Sequence, residues 1–247
     1  MNRPKEIRAA PREWLAILRD AYPFLREQQS VGDLVLFGSQ ALSFYMKSPL
    51  RSKDLDFLSA QVGLRQMEAL AERLSTIENA QYKATTVQTK RFDERKMTTY
   101  AIELRINRKP FFVELFDSVL DGRPLSILQP FVELKERWGL ELWLPNREAT
   151  LVLRLAFRPP EGISRLNAVR LNSFIQENRR RLDFGQARSI LTEWGIMNWV
   201  ERNLTELYRR NRIRILDDRK IIPEIEQKFR RPGKGAERKL DASTRRE

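Results

Sequence analysis

The sequence contains neither cysteine nor histidine. Without cysteine there can be no disulfide, no thiolate nucleophile and no cysteine-bound metal. Without histidine there can be no Ser-His-Asp triad, and the usual zinc-dependent catalytic centre loses its main ligands. The side chains left for catalysis are carboxylates, lysine, tyrosine, serine and threonine. Carboxylates without histidine point to hard cations such as Mg²⁺.

Long apolar runs are also missing. No segment approaches the ~20 consecutive apolar residues that a membrane span needs. Residues 1–18 are basic, but charges and prolines interrupt them too often for a secretory signal. With 247 residues and 41% apolar side chains, the chain is long enough to bury a real core. We therefore predict a cytoplasmic protein with no membrane partner.

Positive charge dominates what is present. Lysine and arginine number 46 against 33 acidic residues, which gives a net charge of +13. Arginine accounts for 34 of the 46, and its forked guanidinium suits phosphate groups. This bias favours a polyanionic partner, above all nucleic acid, over a basic surface that merely faces solvent.

The first half of the sequence alternates between helical and extended patterns. Apolar spacing predicts helices over 11–28, 39–47 and 63–78, and strands over 34–37, 54–59, 82–92, 97–106 and 111–119. The last two strands form a hairpin around a turn at 107–110. We therefore predict that residues 1–127 form an α/β (α+β) domain with a mixed sheet and flanking helices.

The second half is predicted to be helical from about residue 128. Candidate helices cover 146–158, 164–178, 184–195 and 198–212. We predict a helical C-terminal domain over 128–229. The tail, 230–247, is charged, contains proline and glycine, and lacks apolar periodicity. We expect this basic tail to be disordered.

Two aspartates stand in the predicted strand over 54–59. Because alternate residues of a strand face the same side, Asp54 and Asp56 project together. Two carboxylates so close repel each other, so they need a positive partner or a raised pKa. Divalent cations supply that charge and can promote phosphoryl displacement. The alternative is a pair of strand-edge residues that form ion pairs with Arg51 or Lys53.

A third ligand must come from a neighbouring strand. Glu114 lies among apolar residues in "FFVELF" (111–116), and Asp117 follows three residues later. A lone glutamate in an apolar strand is the less expected placement, and Asp117 lies on the other face of a regular strand. We therefore favour Glu114 over Asp117 as the third ligand.

Gly38 and Ser39 separate a predicted strand from the helix that follows. Glycine allows the backbone to approach a ligand closely. A strand that enters a helix there leaves free N–H groups and a hydroxyl directed at an anion site, where the helix dipole also favours phosphate. Together with the two aspartates, this corner predicts a complete site for a nucleoside triphosphate.

In the segments that carry these residues, the sequence resembles the DNA polymerase β-like nucleotidyltransferase superfamily. The matching segments are "LFGS" (36–39), "DLDF" (54–57) and "VEL" (113–115). Within the superfamily, "GSQALSFYMKSPLRSKDLDF" (38–57) is most similar to the abortive-infection (AbiE-type) nucleotidyltransferase toxins. The similar part of the chain covers residues 34–117.

The resemblance implies a nucleotidyltransferase fold followed by a helical domain. It implies transfer of a nucleoside monophosphate from an NTP to an acceptor, with RNA such as tRNA as the expected nucleic-acid partner. It also implies Mg²⁺ (or Mn²⁺) as the metal. A role as a toxin of a toxin–antitoxin or phage-defence system, with an antitoxin protein as partner, follows from the same resemblance.

The resemblance also implies a set of site residues. These are Asp54, Asp56 and Glu114 as catalytic metal ligands, Gly38 and Ser39 on the β- and γ-phosphates, and Arg51, Lys53 and Arg154 on the triphosphate. Arg154 stands in "LRLAF" where family members carry lysine, and the acidic residues they carry after Arg165 are missing.

Alternatives remain open at this level. Arg51 and Lys53 could belong to a solvent-facing loop, and Arg154 could pair with Glu148 or Glu161. The chain could also be an inactive nucleotidyltransferase-fold protein that binds nucleic acid through basic runs such as 179–181 and 209–214. A third alternative is a small-molecule nucleotidyltransferase, which the net positive charge disfavours.

Overall fold

The computed structural model describes residues 8–27, 33–78, 82–92, 97–156 and 162–229. The predicted disordered tail, 230–247, lies outside the described residues. Within these ranges, no helix is long and apolar enough to cross a membrane.

A five-stranded mixed sheet forms the centre of the first half. Its strands are β1 (Val35–Leu36), β2 (Asp54–Leu58), β3 (Tyr82–Phe92), β4 (Met97–Ile106) and β5 (Lys109–Phe116). They lie in the order β1-β2-β5-β4-β3, and β2 and β5 run parallel while the other neighbours are antiparallel. The predicted mixed sheet is therefore confirmed. Asn107 and Arg108 form the two-residue turn between β4 and β5, with φ of 51° and 65°, as tight hairpins require.

Three helices accompany this sheet: α1 (Pro11–Glu27), α2 (Gly38–Tyr45) and α3 (Leu64–Ser75). Alternation along β2 and β5 directs Leu55, Phe57 and Val113 to one face, where all three are buried. This face shares a core with Trp14 of α1 and Leu70 of α3. The opposite face of β2 and β5 therefore carries the polar side chains.

The segment after the sheet corrects one prediction. Residues 132–145 are not helical but form a hairpin of β6 (Val132–Arg137) and β7 (Leu140–Pro145). Trp138 and Gly139 make its turn with φ of 56° and 71°. Leu142 and Leu144 of β7 are buried in the same core as the sheet. The domain boundary near residue 127 stays a prediction.

Helices form the rest of the described chain. They are α4 (Arg147–Leu155), α5 (Arg165–Asn178), α6 (Phe184–Glu193), α7 (Met197–Asn211), α8 (Asp218–Ile221) and α9 (Ile225–Phe229). Side chains of Asn146, Ser164 and Asp183 cap the N-termini of α4, α5 and α6. The second core includes Leu42 of α2 and Leu58 of β2 as well as the buried residues of these helices. The helices thus pack directly beside the polar face of the sheet.

Candidate active site

Three carboxylates meet on the polar face of the sheet. The parallel register of β2 and β5 places Asp56 opposite Glu114 and Asp54 opposite Phe112. One oxygen from each of Asp54, Asp56 and Glu114 lies within 4.8 Å of the others. The structure therefore brings together the three acidic residues that the sequence analysis selected.

Asp117, the alternative third ligand, lies elsewhere. Its Oδ1 accepts hydrogen bonds from the Thr98 N–H over 3.0 Å and from the Ser118 hydroxyl over 2.7 Å. Asp117 does not belong to the acidic cluster. Its carboxylate has a structural role at the end of β5.

The acidic cluster is electrostatically strained. Asp56 is only 9% exposed. Burial, followed by the charges of Asp54 and Glu114, raises the pKa of Asp56 well above its usual value, and the opposing effects of Arg154 and Lys53 are smaller. Burial and the charge of Asp54 also raise the pKa of Glu114. A bound cation would offset this repulsion.

The donor set of the cluster fits a hard divalent cation. Its ligands are carboxylate oxygens on adjacent strands. Mg²⁺ and Mn²⁺ prefer oxygen donors of this kind, and neither nitrogen nor sulfur is needed. The residues present therefore fit the Mg²⁺ or Mn²⁺ that the sequence implies.

Gly38 allows α2 to begin directly against this cluster. Its φ is +71°, and an added Cβ would lie 2.1 Å from Oδ2 of Asp56. The backbone N–H of Phe37 donates to the Asp56 carbonyl over 3.0 Å. The Gln40 side chain donates to the Asp54 carbonyl and so fastens α2 to β2. A side chain at position 38 would displace the Asp56 carboxylate.

The two ends of α2 differ in how their backbone groups are satisfied. At the N-terminus, Phe37 makes no side-chain cap. At the C-terminus, Arg137 of the β6–β7 hairpin donates to the Phe44 carbonyl over 2.8 Å, and Asn178 donates to the Tyr45 carbonyl over 3.0 Å. The N-terminal end, where the helix dipole is positive, is thus the end left for an anion.

A chain of two hydroxyls leads from α2 to the carboxylates. The oxygens of Ser39 and Ser52 are 2.6 Å apart, and the Ser52 hydroxyl donates to Oδ1 of Asp54 over 3.1 Å. In this arrangement Ser39 donates its proton to Ser52. A phosphate contact by Ser39 would therefore come from its backbone N–H. No function for Ser52 was predicted, although it stands two residues before Asp54.

A cavity of about 600 Å³ opens beside the cluster. Its wall includes the three carboxylates and Ser39, and it carries four cationic side chains: Arg8, Lys53, Arg154 and Arg170. Burial, together with the charges of Arg8 and Arg154, lowers the pKa of Arg170 to about 10. Burial also lowers the pKa of Arg154, against the charges of Asp56 and Asp54. The partly buried guanidinium groups of Arg154 and Arg170 in one wall favour an anionic ligand.

The cationic residues predicted from the sequence separate into two groups. Lys53 and Arg154 line the cavity, and Arg154 donates to Oδ1 of Asn167 over 3.1 Å. Arg51 is exposed and lies outside the cavity wall, where its Nε donates to the Arg8 carbonyl over 3.3 Å. Arg165, at the start of α5, is also exposed and outside the wall.

The alternative partners of Arg154 can be located in part. Glu148 is 7% exposed, and its Oε1 accepts from the Asp183 N–H over 2.9 Å. Glu161 lies outside the described residues. The Glu148 carboxylate therefore accepts a hydrogen bond from the residue that caps the N-terminus of α6.

Two arginines of the cavity wall were not predicted from the sequence. Arg8 precedes Ala9, whose N–H donates to the Ser52 carbonyl over 2.6 Å and joins the N-terminal segment to the loop before β2. Arg170 lies on α5 and donates to the Arg51 carbonyl. Both reach the cavity through tertiary packing, for which the sequence carries no local signal.

Apolar side chains form another part of the cavity wall. Phe37 and Phe116 meet edge to face with ring centroids 5.3 Å apart, and Leu153 and Trp199 also line the cavity. Such a wall suits a flat heterocycle next to a polar site. The cavity therefore combines carboxylates, cations and an apolar surface.

Comparisons with known proteins give fold neighbours only. No protein-family model and no curated protein matches the sequence. A Helicobacter pylori protein with a provisional nucleotidyltransferase assignment aligns over 89% of this chain and 94% of its own, at 13% identity and a TM-score of 0.46. JHP933 from Helicobacter pylori aligns over 92% of this chain and 97% of its own, at 14% identity and a TM-score of 0.44.

A third neighbour is the nucleotidyltransferase toxin MenT4 from Mycobacterium tuberculosis. It aligns over 81% of this chain and 67% of its own length, at 21% identity and a TM-score of 0.44. The three alignments have TM-scores between 0.44 and 0.46. At such identities and TM-scores we infer neither activity nor substrate from them.

Proposed function

We propose that this chain is a metal-dependent nucleotidyltransferase that moves a nucleoside monophosphate from an NTP to a hydroxyl acceptor. One observation carries the proposal. Three carboxylates whose oxygens lie within 4.8 Å of one another border a cavity whose wall also holds four cationic side chains. Carboxylates for divalent metal beside cations for phosphate are the two requirements of phosphoryl transfer.

Asp54, Asp56 and Glu114 would hold Mg²⁺ or Mn²⁺, which when bound offsets the charge that develops on the phosphoryl oxygens. The uncapped N-terminus of α2, at Gly38 and Ser39, binds the β- and γ-phosphates. The apolar part of the cavity wall contacts the base of the NTP. These groups orient the triphosphate so that its α-phosphorus lies at the carboxylates.

The cations of the wall would neutralise the triphosphate. Lys53, Arg154 and Arg170 line the cavity beside the carboxylates. A bound triphosphate would relieve the repulsion among Arg8, Arg154 and Arg170, which contributes to the lowered pKa of Arg170. We therefore expect each cation to contribute to NTP affinity.

The chemical step exchanges one phosphorus–oxygen bond for another. The acceptor oxygen forms a bond to the α-phosphorus, while the bond to the β-phosphate bridge breaks and pyrophosphate leaves with the electron pair. Glu114, which belongs to the acidic cluster and borders the cavity, takes the proton of the acceptor hydroxyl. The net charge of +13 favours a nucleic-acid acceptor, and the sequence resemblance of residues 38–57 implies RNA such as tRNA.

The direct test is NTP-dependent labelling of RNA. Incubation of the protein with each α-labelled NTP, Mg²⁺ and total RNA should place label on a defined RNA band, and EDTA should prevent it. Asp56→Asn and Glu114→Gln should reduce labelling by about a thousandfold or more, because they remove carboxylates from the cluster. Asp117→Asn is the matched control, since Asp117 lies on the same segment outside the cluster.

Each outcome of this test has a clear reading. Labelling by Asp117→Asn and none by Asp56→Asn would support the proposal. RNA binding without any NTP turnover would favour the inactive nucleic-acid-binding alternative. Label on a small molecule with RNA present would favour the small-molecule alternative.

A toxin role rests on the sequence resemblance of residues 38–57. Under this extension, expression of the wild-type chain arrests bacterial growth and expression of Asp56→Asn does not. A co-expressed antitoxin would restore growth. Equal growth with both chains would contradict the toxin role and leave the chemical proposal standing.

A further inference from the structure

Strand direction distinguishes two ends of the cavity. The parallel register pairs Asp56 with Glu114 and Leu58 with Phe116, so Phe116 lies further along the two strands than the carboxylates do. Ser118 follows Phe116, and both residues line the cavity. At ~3.3 Å per residue, Ser118 lies at most about 13 Å beyond Glu114. The cavity therefore continues past the acidic cluster toward the end of β5.

Three of the four cations of the wall lie at the opposite end. Lys53 immediately precedes β2. Arg8 adjoins the same loop through the bridge between Ala9 and Ser52, and Arg170 donates to a backbone carbonyl of this loop. The proposed function assigns the triphosphate to these cations and the α-phosphorus to the carboxylates. The base of the NTP then extends toward the end of β5.

The hydroxyl proton of Ser118 is engaged by a carboxylate. The hydroxyl donates to Oδ1 of Asp117 over 2.7 Å, and the same oxygen accepts from the Thr98 N–H over 3.0 Å. A hydrogen bond to a carboxylate is stronger than one between neutral groups. Ser118 therefore keeps its proton on Asp117 and offers only its lone pairs to a ligand in the cavity.

The loop after β5 presents hydrogen-bond acceptors to the cavity. Residues 118–121 all line it, and the two polar side chains among them are those of Ser118 and Asp121. Carboxylate oxygens, like the lone pairs of Ser118, accept hydrogen bonds. This end of the cavity therefore matches a ligand edge that donates.

The four bases differ in what they offer at the edge far from the sugar. Adenine at C6 and cytosine at C4 carry an amino group, whereas guanine and uracil carry a carbonyl oxygen at the same positions. An amino group donates to an acceptor, but a carbonyl oxygen that faces an acceptor loses its own hydrogen bond. An acceptor at this end of the cavity thus favours adenine and cytosine.

We propose that Ser118 is a specificity-determining residue that accepts a hydrogen bond from the exocyclic amino group of the base. The site then takes ATP and CTP in preference to GTP and UTP. This inference rests on the proposed function, because it places the base beyond the carboxylates. Phe116, two residues earlier, contacts the base, and Ser118 recognises its edge.

The experiment measures nucleotide binding by isothermal titration calorimetry with Mg²⁺ and without RNA. The probes are ATP, purine riboside triphosphate and inosine triphosphate, which carry an amino group, a hydrogen and a carbonyl oxygen at C6. ATP should bind about tenfold more tightly than purine riboside triphosphate, and inosine triphosphate should bind most weakly. CTP should bind about tenfold more tightly than UTP for the same reason.

Ser118→Ala removes the acceptor. It should weaken ATP binding about tenfold and leave purine riboside triphosphate unchanged, whereas a merely structural role would weaken all probes equally. Ser118→Thr keeps the hydroxyl and should restore the preference. Ser164→Ala is the matched control, because Ser164 lines the same cavity but its hydroxyl accepts from the Asn167 N–H over 3.2 Å. It should keep the ratio of ATP to inosine triphosphate affinity.

The labelling control, Asp117→Asn, is compatible with this assignment. Its amide oxygen offers an acceptor for the same two hydrogen bonds from Ser118 and Thr98. The orientation of the Ser118 proton is therefore expected to persist in that variant.

Three results would overturn the role of Ser118. They are equal affinities of the wild type for ATP and inosine triphosphate, tighter binding of UTP than of CTP, and an unchanged ATP preference in Ser118→Ala. The first two need no variant and so do not depend on its folding. A wild type that prefers ATP through Ser118 and transfers no label would contradict only the proposed function. Equally efficient transfer from all four NTPs would contradict only the specificity, and binding of no NTP would contradict both.

Discussion

Two aspartates of this chain, Asp56 and Asp218, are 9% and 3% exposed. Asp218 faces a cation, because Arg214 donates to its two carboxylate oxygens through Nη2 and Nε over 2.7 and 3.1 Å. Asp56 instead belongs to a cluster of three carboxylates. A buried aspartate is thus paired with an arginine in one region and lies beside two other carboxylates in the other.

The difference separates a structural carboxylate from one held ready for a ligand. Arg214 and Asp218 satisfy each other, and Glu226 lies 3.3 Å from Arg214 on its other side. In the acidic cluster, burial and two neighbouring carboxylates raise the pKa of Asp56 well above its usual value. A folded protein keeps such an arrangement at the expense of stability, and binding or catalysis is the usual reason.

Stability measurements on two matched variants give the largest expected contrast. Asp218→Asn removes the carboxylate opposite Arg214 and should lower the free energy of unfolding by about 2–3 kcal/mol. This range allows for partial screening, since the Arg214 side chain is 36% exposed. Asp56→Asn should leave stability unchanged or raise it, because it removes a charge from the cluster. Urea unfolding without divalent metal measures both.

Equal changes in unfolding free energy in the two variants would contradict the contrast between Asp56 and Asp218. A loss of similar size in Asp56→Asn would mean that Asp56 has a stabilising partner equal to Arg214. Circular dichroism before unfolding checks that both variants start from the same fold. Labelling of RNA should show the reverse order, with Asp218→Asn active.

Gly38→Ala should have the next largest effect. Alanine disfavours the φ of +71° at this position, and its Cβ would lie 2.1 Å from Oδ2 of Asp56. The backbone strain alone should lower the free energy of unfolding by about 1–2 kcal/mol. The displaced carboxylate should also weaken Mg²⁺ binding, which isothermal titration calorimetry measures.

Gly139→Ala provides the matched control for this prediction. Gly139 has the same φ of +71°, but nothing lies within 4 Å of an added Cβ. Gly139→Ala should lower the free energy of unfolding by a similar amount and leave the Mg²⁺ affinity unchanged. Unchanged Mg²⁺ affinity in Gly38→Ala would show that Asp56 is not held by this close approach.

The raised pKa of Asp56 predicts how stability changes with pH. The folded state binds this proton more tightly than the unfolded state does, so between the two pKa values it holds more protons. The free energy of unfolding should therefore fall as the pH rises from ~4, near the unfolded pKa, through the raised folded pKa. The slope from one group is at most about 1.4 kcal/mol per pH unit.

Asp56→Asn and Mg²⁺ both test this dependence. The variant should lose less stability than the wild type over the same pH range in metal-free buffer. Mg²⁺ should stabilise the wild type most at high pH, because the deprotonated carboxylates bind the cation. Parallel stability curves for wild type and variant would contradict the assignment of the raised pKa to Asp56.

The acidic cluster was predictable because strand geometry is local. A period of two fixes the faces of Asp54 and Asp56, and the apolar neighbours of Glu114 mark its strand as central. Parallel pairing of β2 with β5 then brings the three together. Gly38 was predictable as a point of close approach, although the group that approaches it is the Asp56 carboxylate.

The rest of the site depends on contacts between distant segments. Arg8 and Arg170 reach the cavity through the N-terminal segment and through α5, and neither follows a recognisable spacing. The β6–β7 hairpin was missed because Trp138 and Gly139 form its turn without a typical turn sequence. That hairpin supplies Arg137, which donates to the Ser43 and Phe44 carbonyls at the C-terminal end of α2. Only packing reveals this support for the helix.

Ser52→Ala should have the smallest effect on stability and on Mg²⁺ binding. It tests how one carboxylate of the cluster, Asp54, is oriented. The Ser52 hydroxyl is buried, lies 2.6 Å from the Ser39 oxygen and donates to Oδ1 of Asp54. Its loss should lower the free energy of unfolding by about 1 kcal/mol and weaken Mg²⁺ binding by about tenfold, since it orients a ligand. Calorimetry with Mg²⁺ and urea unfolding measure the two effects separately.

Ser43→Ala is the matched control because it removes a similar number of hydrogen bonds away from the carboxylates. The Ser43 hydroxyl is fully buried, donates to the Ser39 carbonyl and accepts from the Leu50 N–H, each over 2.9 Å. It should lose comparable stability and keep Mg²⁺ affinity. If both variants weakened Mg²⁺ binding equally, the effect would reflect general loosening of α2 rather than orientation of Asp54 by Ser52.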